Sequence, residues 1–151
     1  MEISGRPLRG LTLNGGLSYN DFWVDDIVTP EAPNGERQRA IDAPPWTANW
    51  GFSQEVALPR DATLRFQYNG RFTDSRFFGI VNEGIIRGSP YVLQDVSLSV
   101  TDSAGLSLTA YANNVANKTY VTIGFDQTFN GYLINHYGPP RMLGVTLGYR
   151  F

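Results

Sequence analysis

Hydrophobic and polar positions alternate with a period of two along most of this chain. The alternation is clearest from Arg141 to Phe151, where Leu143, Val145, Leu147, Tyr149 and Phe151 share one face. Met142, Gly144, Thr146, Gly148 and Arg150 share the other, which is small or polar apart from Met142. Successive side chains of a strand point to opposite faces, so the pattern predicts a strand with one apolar side. The same reading applies to Leu11–Tyr19, Trp46–Leu58, Ala62–Phe72, Val92–Val100 and Leu106–Asn113. In Ala62–Phe72, for example, Leu64, Phe66, Tyr68 and Phe72 oppose Thr63, Arg65, Gln67, Asn69 and Arg71. Residues 1–6 read as the tail of a further strand, and no amphipathic helix is expected.

The connections alternate in length. Short turns are expected at Arg6–Gly10, Pro59–Asp61 and Asp102–Gly105, each carrying Pro, Asp or Gly to set turn geometry. Between them lie long connections at roughly 25–45, 74–90 and 116–140, far longer than compact soluble domains ordinarily use. All nine prolines are expected in turns, loops or strand starts.

Composition narrows the function classes. The 151 residues suit one domain, and 13% aromatic content with a net charge of -2 excludes intrinsic disorder. Charged residues are 17%, with no basic cluster, so nucleic acid is not an expected partner. Cys is absent, which removes disulfides, thiolate metal sites and thiol catalysis. The single histidine, His136, lacks neighbours at metal-ligand spacing. No nucleophile elbow, zincin motif or phosphate loop occurs, and no helix is expected after Gly15-Gly16. The expectation is a protein that is not an enzyme and carries no cofactor or metal. Neither a signal peptide nor a transmembrane helix is expected, because apolar runs such as 77–81 are short. A transmembrane barrel is untouched by that test, since its apolar face is hidden in alternation.

One apolar face per strand fits two environments. In a soluble β-sandwich, such as a carbohydrate-binding module, the apolar faces pack inward. In an outer-membrane barrel they face lipid. Strands of about ten residues suit a tilted membrane crossing better than a sandwich, whose strands average about 5–6 residues. Polar faces of Arg, Gln, Asn, Ser, Thr and Gly suit a wet lumen, and short turns at one end with long loops at the other suit a barrel. Tyr19, Trp23, Trp46, Trp50, Phe72 and Tyr91 gather near the long-loop end, where Trp and Tyr favour a membrane interface. Six full strands and one partial one are too few for closure, since an open edge is not tolerated in lipid. The expected fold is therefore all-β: an antiparallel up-and-down transmembrane barrel, present as about seven strands of a larger one. A small complete barrel with a structural or adhesion role would need a further strand.

The last third of the chain adds a family resemblance. Residues 110–120, AYANNVANKTY, resemble the NNL-(F)-D-K-x-Y segment that ends the penultimate barrel strand of TonB-dependent receptors. Residues 139–151, PPRMLGVTLGYRF, are similar to that family's closing strand, P-R-x-x-G-x-x-L-x-Y-x-F. Asn113, Asn114, Lys118, Tyr120, Pro140 and Arg141 carry the match, while Val115-Ala116 replaces Leu-Phe and Asn117 replaces Asp. The resemblance implies the C-terminal part of an outer-membrane receptor that takes up iron–siderophore complexes or similarly scarce, large substrates. Such a barrel has about 22 strands around a plug. Plug, TonB-gripping box and signal peptide would lie outside these residues, so TonB would be reached only through that other part. Implied partners are outer-membrane lipid, the plug and remaining strands, and the barrel-assembly machinery, for which Val145, Leu147, Tyr149 and Phe151 resemble the C-terminal signal. The C-terminus would be periplasmic and the long loops extracellular.

Phe77, Phe78, Phe125, Phe129, Tyr132, His136 and Tyr137 lie in those loops and are the candidate ligand contacts. Asp21, Asp25 and Asp26 offer oxygen ligands for calcium, or a solvated acidic loop base. Glu55, Arg65 and Arg71 share the polar side, where pairing and separate solvation both fit.

Overall fold

Alternating side chains with β-branched and aromatic residues on one face favour extended backbone, and the chain follows that preference almost throughout. The computed structural model describes residues 1–30, 33–82 and 84–150. In chain order the strands are β1 (Glu2–Leu8), β2 (Leu11–Tyr19), β3 (Trp23–Ile27), β4 (Glu36–Arg39), β5 (Trp46–Ala57), β6 (Thr63–Thr73) and β7 (Arg76–Phe77). They continue with β8 (Arg87–Gly88), β9 (Tyr91–Thr101), β10 (Leu106–Asn113), β11 (Val121–Gln127), β12 (Tyr132–Tyr137) and β13 (Met142–Tyr149).

Seven of these form one sheet in the order β1-β2-β5-β6-β9-β10-β13, with every neighbouring pair antiparallel. Its two edges, β1 and β13, consequently run in the same direction. The other six pair within the long loops as β3–β4, β7–β8 and β11–β12. Register follows the hydrophobic pattern, because a one-residue slip would exchange the two faces. One row reads Val56, Leu64, Val100, Leu108 and Leu147 across five strands, and another reads Phe66, Leu98, Ala110 and Val145. The intervening row is Glu55, Arg65, Ser99, Thr109 and Thr146. Gln54 and Gln94 are polar intrusions on the apolar side. The Gln54 amide donates to the Glu55 carbonyl at 2.9 Å, so it is satisfied there.

Among the described residues, nothing covers the apolar face. Leu143, Val145, Leu147 and Tyr149 are 74%, 69%, 70% and 64% exposed, and Leu13, Leu17, Val56, Leu98 and Leu108 are exposed as well. Among the described residues the buried apolar side chains are Ala40, Ile86 and Leu93. The sandwich would require a second broad sheet over this face. Among the described residues the remaining sheets are only the three loop hairpins. Full burial of one Leu or Val is worth about 1.5–3 kcal/mol, so a face this large left in water forgoes most of the usual driving force for folding.

Turn chemistry matches the sequence. Gly10 and Gly105 take positive φ, as do Arg60 and Asp61 between β5 and β6. Asp102 Oδ1 accepts from the Ala104 and Leu106 N–H groups, both at 2.9 Å, and closes the β9–β10 turn. Three expectations need correction. Pro7 sits inside β1 rather than in a turn; the register shifts between Gly5 and Leu8, and an edge strand tolerates the missing N–H. The first and third long loops run over 20–45 and 114–141, starting earlier than expected, whereas the second spans 74–90 as expected, and each folds a short hairpin. Tyr91 is paired with Thr73 and so lies on the polar side, apart from the outward aromatics. Phe151 lies outside the described residues.

Tyr111 and Gly144 face each other across β10 and β13, and the phenol lies where a Cβ on residue 144 would stand. Gly144→Ala should therefore destabilise by about 1–3 kcal/mol in denaturant unfolding. In a Tyr111→Ala background the same change should become nearly neutral.

Candidate functional site

All three long loops emerge at one end of the sheet. Tyr19 pairs with Trp46, Thr73 with Tyr91 and Asn113 with Met142, and each pair marks a loop's two feet. The short turns lie at the opposite end. The rings of the first pair are also in tilted contact, with centroids 4.6 Å apart. Two structured features stand at the long-loop end: a clasp between the halves of the C-terminal motif, and a rim in which the loops interlock.

The clasp centres on Asn114, which is 5% exposed and adopts a left-handed backbone conformation with φ 50°. Asn is among the few non-glycine residues that take this conformation readily. Its side chain makes three hydrogen bonds. Nδ2 donates to the Lys118 carbonyl at 2.9 Å and to the Pro139 carbonyl at 3.1 Å, and Oδ1 accepts from the Lys118 N–H at 2.8 Å. Its own N–H donates to Asp95 Oδ1 at 2.8 Å, and the Val115 N–H donates to the Gln94 carbonyl, also at 2.8 Å. Asn117, again left-handed, accepts from the Arg141 N–H at 2.9 Å. Tyr120 meets Tyr91 in a tilted ring contact at 4.6 Å and covers Gly138, where a side chain would collide with its ring. Residues 114–120 and 138–141, separated in sequence by the β11–β12 hairpin, are thereby brought together at the start of β13.

This geometry gives the motif positions physical roles. Asn114 and Tyr120 act through their side chains. Lys118 meets Asn114 through its backbone, and its side chain is exposed. Arg141 contributes its N–H, and its guanidinium reaches the Val115 carbonyl at 3.5 Å. Asn113 ends β10 opposite Met142, and Pro140 is an exposed residue beside Arg141. Asn at 117 supplies the acceptor that an Asp would supply.

The rim is built on Arg76 in β7, whose side chain is 9% exposed. Its guanidinium donates to the Thr122 carbonyl in the third loop at 3.3 Å and to the Tyr91 hydroxyl at 3.4 Å. Nε faces the Asp42 carboxylate of the first loop as an ion pair, outside hydrogen-bond geometry. The Phe78 ring lies 5.2 Å from the guanidinium carbon. Asn82 binds the first loop as well: its Nδ2 donates to the Arg39 carbonyl and its N–H to Gln38 Oε1, both at 3.0 Å.

The seven candidate ligand residues do not converge. Phe77 and Phe78 are half-buried between loops; the Phe77 carbonyl accepts from the Asp42 N–H at 2.9 Å, and its ring carries Arg87 at 5.4 Å. The other five lie on the β11–β12 hairpin. Phe125, Tyr132 and His136 share a face with Ile123 and Ile134, and Phe125 meets His136 edge-on at 6.2 Å. Phe129 stands at the hairpin tip, 84% exposed, and Tyr137 closes the hairpin opposite Val121. Asp21 and Asp25 are engaged in the first loop: Asp21 accepts from the Trp23 indole at 2.7 Å and pairs with Arg39 at 3.8 Å, and Asp25 pairs with Arg37 at 3.2 Å. On the polar side of the sheet Arg65 and Glu55 are paired, with Nε donating at 2.8 Å. Arg71 stands farther along, between Asn49 and Leu93.

Sequence reasoning missed Arg76, Asp95 and Gly138. An arginine beside Phe77-Phe78 carries no motif. The need for Gly138 becomes visible only once Tyr120 is placed over it. Comparison of the chain with family models, curated proteins and solved structures finds no match.

Asn114→Ala removes three side-chain hydrogen bonds and a preference for positive φ, so it should cost about 2–4 kcal/mol in denaturant unfolding. Asn114→Gly keeps the conformational freedom and should recover about 1 kcal/mol of that loss. Equal stability of the two variants would show that backbone conformation contributes little.

Proposed function

We propose that this chain is a segment of wall from an outer-membrane transport barrel, similar to the C-terminal part of TonB-dependent receptors. The observation that carries the reading is the single broad sheet whose apolar face has no protein partner among the described residues. Such a face is stable against hydrocarbon and unstable against water. Strand length supports it. β6 and β9 have 11 residues each. At a rise of about 3.3 Å and a tilt of about 45°, that spans roughly 25 Å, the height of a barrel's apolar band. The outward Tyr19–Trp46 pair stands at the long-loop end of that band, where an interfacial aromatic girdle belongs.

The opposite face would line the lumen. Its Asn14, Asn69, Asp95, Gln67, Ser97 and Thr109 offer donors and acceptors to water or a passing solute. Edge direction supports a partial wall. Because β1 and β13 run the same way, all-antiparallel closure needs an odd number of further strands between them. A barrel of about 22 strands leaves such a number. The clasp at Asn114 gives the motif resemblance a structural rationale, because it sets where the last strand begins. In this reading the long loops are extracellular and help gather a scarce, large substrate such as an iron–siderophore complex. The chain performs no covalent chemistry. Its partners are lipid, the remaining strands and plug, and the assembly machinery that reads the last strand.

Two neighbouring substitutions test the orientation. Leu147→Arg should cost about 2–4 kcal/mol in unfolding from lipid vesicles if residue 147 lies near the bilayer midplane, and less nearer the interface. Thr146→Arg, on the lumen side, should cost less than about 1 kcal/mol. Equal costs, or the reverse order, would contradict the reading.

A further inference from the structure

We infer that Arg76 couples the three long loops into one mechanical unit, so that displacement of one is felt by the other two. The inference rests on loop geometry alone and holds whichever medium surrounds the sheet. The first two loops are weak in isolation. β3–β4 and β7–β8 are hairpins of two to five residues per strand, and a lone two-stranded hairpin is marginal in water. What holds them is each other, and Arg76 touches all three: it belongs to the second loop, faces Asp42 of the first and donates to the Thr122 carbonyl of the third.

The coupling follows from the chemistry of a buried guanidinium. Arginine does not lose its proton in proteins, so burial requires a counter-charge or enough acceptors to replace water. Asp42 supplies the counter-charge. The carboxylate is 63% exposed and sits on a residue with φ 53°, a left-handed conformation that is unfavourable for an unrestrained aspartate. It is kept in place by its own N–H, which donates to the Phe77 carbonyl at 2.9 Å. If the first loop withdraws, Asp42 leaves and the cation remains buried without its partner. The guanidinium then gains by turning toward water, which withdraws its donor from Thr122 and its charge from the faces of Phe78 and Tyr91. The third loop is thereby loosened through the loss of its bond from Arg76. The same sequence runs in reverse when the third loop moves.

Hydrogen exchange of the full chain tests this, in whichever medium, aqueous buffer or detergent micelles, keeps it monodisperse. Asp42→Asn should raise exchange on the order of tenfold in residues 36–42 and also in 121–125, with β5, β6 and β9 unchanged. Arg76→Met should give the same two-loop pattern. A rise confined to residues 36–42 in Asp42→Asn overturns the inference. So does unchanged exchange in 121–125 when Arg76 is replaced. If Arg76→Met also loses protection in the sheet, the Asp42→Asn pattern decides.

Discussion

The backbone hydrogen-bond ladder across six strand interfaces is the interaction on which everything else here depends. In most small domains a buried core does this work, and the sheet is one wall of it. Here the ladder has no core behind it among the described residues, because the apolar side chains of seven strands point away from the rest of the chain. A sheet so built is satisfied along its strands and unsatisfied on its face and at its two edges. The face calls for an apolar solvent and the edges call for more strands. Both requirements are met together in the wall of a membrane barrel, which is why the proposal takes that form.

The long-loop end obeys different rules. There the chain does bury side chains, around Ile86, Leu93 and Arg76, and uses polar groups with care. Asn114 satisfies carbonyls on both halves of the motif, and Arg76 faces groups on all three loops. A loop-rich end of this kind resists water by internal hydrogen bonding, whereas the sheet below it has no such protection on its apolar side. The two ends of the molecule therefore have different physical chemistry, with Tyr19 and Trp46 at the boundary.

Much of the fold was legible in the sequence because the strands are long. Eight to twelve residues give a period of two enough repeats to stand out, and β2 and β10 have the bounds that alternation implies. The short strands were not legible for the same reason: two residues at Arg76–Phe77 contain no period at all. Pro7 misled because the rule against proline in strands weakens at an edge, and edge position is a property of the assembled sheet. The motif residues were visible as a pattern but not as a mechanism. Nothing in the spacing of Asn114 and Pro139 says that one amide spans both. The candidate ligand residues were chosen as loop aromatics, a criterion that cannot separate Phe78, packed beneath Arg76, from Phe129 at an exposed tip.

The central claim is that the apolar face meets hydrocarbon and the polar face meets water. Leu98 and Ser99 are adjacent in the second half of β9 and point to opposite sides. Fluorophores attached singly to cysteines at these positions, with the protein in vesicles, compare the two environments directly. The account predicts that brominated acyl chains quench the probe at residue 98 and that aqueous iodide quenches the probe at residue 99. A residue-98 probe shielded from both quenchers would place that face inside protein, and lipid quenching at residue 99 would invert the sheet; either result would contradict the account.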